Sequence, residues 1–271
     1  MRRLLLVSLK RSGTNWLQDI VSQIPGVLGL REIFNPRGAF GLRTGNSIAL
    51  KHLRNVLQDQ TLEEASSNLM SWIHADPLRA LSELEHCARE HGLNRVSFTL
   101  FADQLPVPAV AALLSHPRTD VVILTRAQLP RYVSLLKARS LNVWKRQDTT
   151  GFKPVVDVRK FATEARHARS WFNTVATILK QHQAPRPLIL SYEQHVLQGS
   201  SALLNELRQS ELGFPTCDPK REIGSSFFRQ DLNDNVIDAI ENGPKFRMEL
   251  EKADLLHEAF SQPVTAADFG P

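Results

Sequence analysis

Four short apolar runs, each set beside a stretch of helical periodicity, constrain this chain more than any other feature. They are Leu4-Leu5-Leu6-Val7-Ser8-Leu9, Val96-Ser97-Phe98-Thr99-Leu100-Phe101, Asp120-Val121-Val122-Ile123-Leu124 and Pro187-Leu188-Ile189-Leu190-Ser191-Tyr192. Such short apolar runs read as strands, and the first as a buried parallel one. Trp16, Leu17, Ile20, Val21 and Ile24 follow the first run at helical spacing, and Pro25-Gly26 ends that helix. Leu81, Leu84 and Ala88 precede the second, with a stop at Gly92; Leu129, Val133, Leu136 and Ser140 follow the third. A long amphipathic stretch, Phe161 to Gln181, leads into the fourth. Strands alternating with helices predict an α/β fold, a central mainly parallel sheet flanked by helices. No repeat or linker breaks the pattern, so residues 1–271 are expected to form a single domain. Residues 38–71 have weaker periodicity, and residues 142–158, with Trp144, Lys145, Arg146, Gly151 and Pro154, are expected to be an ordered loop or acceptor lid.

A chain of 271 residues with 42% hydrophobic and 23% charged residues has material for a sizeable core, which excludes disorder and low-complexity behaviour. The net charge of +5 favours an anionic partner without choosing one. Basic and acidic residues alternate, as in 157–168 and 245–254, whereas a nucleic-acid binder clusters Lys and Arg on one face. Two cysteines, Cys87 and Cys217, make neither a disulfide framework nor a thiolate metal site, which points to a reducing, cytoplasmic setting. The apolar start Leu4 to Val7 resembles a signal peptide but breaks at Lys10-Arg11, and no stretch approaches a membrane span.

The turn after the first run, Lys10-Arg11-Ser12-Gly13-Thr14-Asn15-Trp16, carries the strongest chemical signal. A strand feeding a polar, glycine-containing turn that opens a helix aims backbone N–H groups and the positive helix end at whatever sits above them. It is not a Walker A loop. The plain alternative is a strand-to-helix turn capped by Ser12 or Thr14. Arg126 ends the third strand, Arg131 follows it, and Ser134 lies eight residues on in the next helix. An arginine there can fork onto a phosphate while the serine hydroxyl reaches the same group.

Together these elements resemble the sulfotransferases that use 3′-phosphoadenosine 5′-phosphosulfate (PAPS). The resemblance implies that Lys10, Arg11, Ser12, Gly13, Thr14, Asn15 and Trp16 cradle the 5′-phosphosulfate and that Arg126 and Ser134 hold the 3′-phosphate. It also implies a P-loop-like architecture and no metal. Arg31-Glu32-Ile33-Phe34-Asn35 resembles the E-F-F-like element of bacterial carbohydrate sulfotransferases, those acting on trehalose, lipopolysaccharide and Nod factors. Leu100-Phe101-Ala102-Asp103-Gln104-Leu105 and Leu190-Ser191-Tyr192-Glu193 resemble that branch's later strand ends. The chain departs from the family where Arg11 replaces a frequent Lys and Asn15 a frequent Thr. Lys51-His52-Leu53 is a poor positional match to the K-x-H-L-P element of members with a histidine base.

The resemblance assigns roles. Arg11 would neutralise charge on the leaving phosphate, with Lys10 as runner-up. Glu32 would be the general base toward an acceptor hydroxyl, with His52 and Asp103 as alternatives. Trp16 could touch the adenine, Arg229-Gln230 after Phe227-Phe228 could close over the nucleotide, and Trp144, Lys145 and Arg146 could form the lid. The expected acceptor is a glycan or other small hydroxyl compound, with no nucleic-acid partner. A P-loop-like kinase is the enzymatic alternative, and a basic nucleic-acid-binding protein the alternative of another class. No motif encodes the acceptor's identity or the oligomeric state.

Overall fold

The computed structural model describes residues 1–42, 48–144, 147–214, 223–233 and 235–270. Lys145, Arg146 and Cys217 lie outside the described residues. Five parallel strands form one sheet: β1 (Arg2–Ser8), β2 (Val27–Arg31), β3 (Arg95–Leu100), β4 (Thr119–Thr125) and β5 (Leu188–Ser191). Their spatial order is β2-β3-β1-β4-β5. All four expected strands are present; β2 is an addition.

The helices are α1 (Thr14–Val21), α2 (Ile48–Val56), α3 (Ser67–Ala75), α4 (Pro77–Glu90), α5 (Val107–Leu114), α6 (Gln128–Leu141), α7 (Val158–Gln181), α8 (Ser200–Gln209), α9 (Gly243–Lys252) and α10 (Leu256–Phe260). Local chemistry sets several starts. Asp76 caps α4 by accepting from the Arg79 amide at 3.0 Å, with Pro77 at the first position, where its missing N–H costs nothing. Asp157 caps α7 in the same way, accepting from the Lys160 amide at 2.9 Å.

Alternation along β1 divides the core. Leu5 and Val7 face one apolar cluster with Val96, Phe98 and Leu100 of β3 and with Trp171, Phe172 and Val175 of α7. Leu4 and Leu6 face another with Leu17, Ile20 and Val21 of α1 and Leu203 and Leu207 of α8. Helices thus cover both faces, so even the polar stripe of β3, Arg95, Ser97 and Thr99, is buried, with Ser97 Oγ donating to Gln18 Oε1 at 3.0 Å. A third cluster joins Leu129, Tyr132 and Val133 of α6 to Phe161 of α7 and Phe246 of α9.

The topology places the site. From β1 the chain leaves toward β2 and β3; from β4 it leaves toward β5 on the other side. Neighbouring strands whose connections diverge open a crevice beyond their carboxyl ends, where α/β sheets bind ligands. Here the crevice lies between the ends of β1 and β4. The turn 9–13 emerges from one and Arg126 from the other.

Candidate active site

The β1–α1 turn is built on two left-handed residues. Arg11 has φ 73° and Gly13 φ 91°. At Gly13 a Cβ would lie 2.9 Å from the Tyr192 ring, so glycine is required by both backbone and space. No side chain caps α1, whose first turn instead faces the crevice. Ser12 lies beneath, its Oγ buried without a hydrogen-bond partner. A buried hydroxyl without a partner beside an uncapped helix start is chemically suited to an anion.

Arg126 enters from the end of β4. Its Nη1 donates to the Arg11 carbonyl at 2.9 Å, its guanidinium lies 4.1 Å from the Tyr192 ring centroid, and its Nε is buried without a partner. Arg11 donates from Nε to Ser134 Oγ at 3.1 Å, from Nη1 to the Trp144 carbonyl at 2.5 Å, and from Nη2 to Gln230 Oε1. Burial, and then the charge of Arg126, push the Arg11 pKa down to about 10. Burial also holds Arg126 below its ordinary value, and Arg229 adds like-charge repulsion. Arg229 donates to the Asn233 carbonyl. Three guanidiniums thus crowd one cleft of about 450 Å³, an arrangement that a bound anion relieves.

The cleft brings together Arg11, Gly13, Thr14, Asn15, Trp16, Arg126, Ser134 and Arg229, all singled out from the sequence. Ser12 is under its floor. Lys10 is not in its lining; the Lys10 ammonium pairs with Asp103 beyond the end of β3. Gln230, expected with Arg229 to close over the nucleotide, and Trp144, expected in an acceptor lid, line it too, as do Phe227 and Phe228, to which the sequence assigns no role. Tyr192, Val196, Leu197 and Asp231 complete it. Of these, Tyr192 reads from the sequence only as part of a strand end. It opens a short π-helical turn, Tyr192–Val196, which swings its ring under Arg126. No local motif marks Asp231; its carboxylate pairs at 2.7 Å with Lys137, buried on α6 one turn beyond Ser134.

Glu32 stands just past β2, at the same carboxyl end of the sheet but outside the cleft lining. It bridges backbone to Phe40 and its Oε2 accepts from Asn35 Nδ2 at 2.8 Å. Ile33 and Phe34 beside it are wholly buried and hold it in place. His52 is elsewhere. Glu83 and Glu90 of α4 lie 3.4 and 3.5 Å from its ring nitrogens, and Glu85 between them meets Arg3 at the start of β1. That level is the amino end of the sheet, opposite the cleft, which removes His52 from consideration as base.

Among the described residues no group of three or more His, Cys, Asp or Glu is arranged to hold a metal ion, and no helix is long and apolar enough to cross a membrane. A second, more open groove of about 550 Å³ runs along the exposed face of α7 and contains none of the turn or strand-end residues.

Comparison with known proteins adds one decisive finding. The family model of the sulfotransferase domain matches residues 1–201. No curated protein matches the chain. Among solved structures, mouse sulfotransferase SULT7A1, in a complex with PAP, is similar over 94% of this chain and 85% of that one, with 14% identity and a TM-score of 0.37.

Proposed function

The chain belongs to the sulfotransferase family, and from that premise we propose that it transfers a sulfuryl group from PAPS to a hydroxyl of a carbohydrate or other small acceptor. The observation that carries this reading is the convergence of Arg11, Arg126 and Arg229 on one cleft at the β1/β4 crevice. The residues fit the donor. The uncapped turn and the orphaned Ser12 Oγ suit a phosphosulfate, and the unpartnered Arg126 Nε suits a second phosphate. Trp16, Phe227 and Phe228 give apolar walls for a base.

PAPS supplies, when bound, a sulfuryl group already activated on a phosphate leaving group. The protein's part is positioning and electrostatic stabilisation. Arg11 is the residue for charge on the leaving oxygen. At a pKa of about 10 it remains a cation at neutral pH, and a phosphate leaves as an anion without needing a proton. Amides of the first turn of α1 and the Ser12 hydroxyl orient the 5′ end; Arg126 and Ser134 take the 3′-phosphate; Arg229 and its neighbours cover the nucleotide. No metal enters the reading.

Glu32 is the proposed general base, accepting the acceptor hydroxyl's proton. The sequence Arg31-Glu32-Ile33-Phe34-Asn35 and its place at the carboxyl end of the sheet support this and the carbohydrate class. Asp103 is the second reading, favoured by its ion pair with Lys10 beside the turn. Residues 1–271 act as one domain in this scheme, with 142–158 on the acceptor side. A cytoplasmic setting is part of the same reading and rests on the chain's having two cysteines, Cys87 and Cys217, too few for a disulfide framework.

Calorimetry with 3′-phosphoadenosine 5′-phosphate (PAP), ATP and a random oligonucleotide tests the donor. PAP should bind tightest. Preference for ATP would support the kinase, and binding of the oligonucleotide alone would support the nucleic-acid reading.

A further inference from the structure

We propose that Asp19 is a positioning residue that latches the strap 225–231 over the donor cleft and ties that strap to the strand end carrying Glu32. The proposal rests on the donor reading above. Asp19 lies on α1, one turn beyond Asn15, and divides its two oxygens between partners far apart in sequence. Oδ1 accepts from Arg31 at 2.8 Å. Oδ2 accepts from the Ser226 amide at 2.8 Å, from Ser225 Oγ at 2.9 Å and from Ser226 Oγ at 3.3 Å. One turn on, Gln23 Nε2 donates to the Gly224 carbonyl at 2.6 Å.

The strap's far end is held just as definitely. Asp231 pairs with Lys137, and the Gln230 carbonyl accepts from the Thr149 amide at 2.7 Å. Between the two anchors lie Phe227, Phe228, Arg229 and Gln230, all on the cleft. Each anchor stands one turn from a cleft residue on its own helix, Asp19 from Asn15 and Lys137 from Ser134. Cradle and cover therefore share their supports.

The latch also reaches sideways. Arg31, held by Asp19, places its guanidinium 5.2 Å from the Phe227 ring centroid and directly precedes Glu32. One carboxylate thus braces both the nucleotide cover and the base-bearing segment. Only a carboxylate accepts on both sides at once. An Asn offers a single acceptor and turns an NH₂ toward either Arg31 or the Ser226 amide, leaving donor facing donor.

The test compares PAP affinity by calorimetry in wild type, Asp19→Asn, the double variant Ser225→Ala/Ser226→Ala, and the three changes combined. Circular dichroism and thermal melting check the fold. Asp19→Asn should remain folded and raise the Kd for PAP by about tenfold or more, the range for lost hydrogen bonds to a charged acceptor. The serine pair should raise it several-fold. The combination should be no worse than Asp19→Asn alone, because both act through one latch. In turnover assays the KM for PAPS should change more than kcat. An unchanged Kd in Asp19→Asn, or losses that add in full, would overturn the latch. If Asp19→Asn does not fold, the serine pair decides alone, and an unchanged Kd there overturns the proposal. Failure of wild type to bind PAP would instead strike down the donor reading, and the latch with it.

Discussion

Each of the cleft's arginines has its own environment, and the environments make separate predictions. Arg126 reaches the cleft from a strand end with an unpartnered Nε and a tyrosine ring at its back. Arg126→Ala should weaken PAP binding by about 2 kcal/mol or more, near the upper range for hydrogen bonds to charged groups, as read by calorimetry. Arg11 differs because burial and Arg126 have brought its pKa to about 10. Its charge is present below that value and lost above it. PAP affinity should therefore hold from neutral pH upward and decline as the pH passes about 10. An affinity flat through pH 11 would show that Arg11 does not face the ligand. Glu32→Gln should cut kcat by about a hundredfold or more while leaving the Kd for PAP unchanged. Undiminished turnover would pass the role to Asp103.

At the scale of elements, the β1–α1 turn was legible because strand, glycine and helix start follow one another within seven residues. The geometry there is demanding. Gly13→Ala combines a positive φ with a Cβ 2.9 Å from Tyr192 and should cost about 1–3 kcal/mol, seen as a lower melting temperature and weaker PAP binding. By contrast Asp76→Ala, at the α4 cap outside the cleft lining, should cost about 1 kcal/mol and leave the Kd for PAP unchanged. The strand β2 was not legible. Its five residues contain Gly29, where a Cβ would lie 2.5 Å from that of Ser22, and end at Arg31 with φ 46°. The close approach of α1 needs a glycine there, and that glycine hides the strand pattern. Tyr192 read as the end of a strand because the π-helical turn that redirects it has no short-range signature.

For the whole molecule, the sheet and its flanking helices followed from periodicity, because each element buries one face or both within its own sequence window. The cleft followed only in part. Arg11, Arg126 and Ser134 sit in recognisable local contexts, whereas the Asp19–Ser226 and Lys137–Asp231 contacts join residues 207 apart and about a hundred apart. No window along the chain contains both partners, and their pairing is decided by where the sheet order places α1 and α6. His52 shows the converse: it is an alternative base by residue type, and the topology sets it beside α4 at the other end of the sheet. The central claim is spatial, that the turn 11–16 and the Arg126–Ser134 pair hold the two phosphates of one nucleotide. The most direct measurement is a crystal structure of the protein with PAP. It should place the 5′-phosphate on the amides and Ser12 hydroxyl of the β1–α1 turn and the 3′-phosphate within hydrogen-bonding distance of Arg126 and Ser134. A nucleotide bound elsewhere, or with its 3′-phosphate turned away from Arg126, would contradict it.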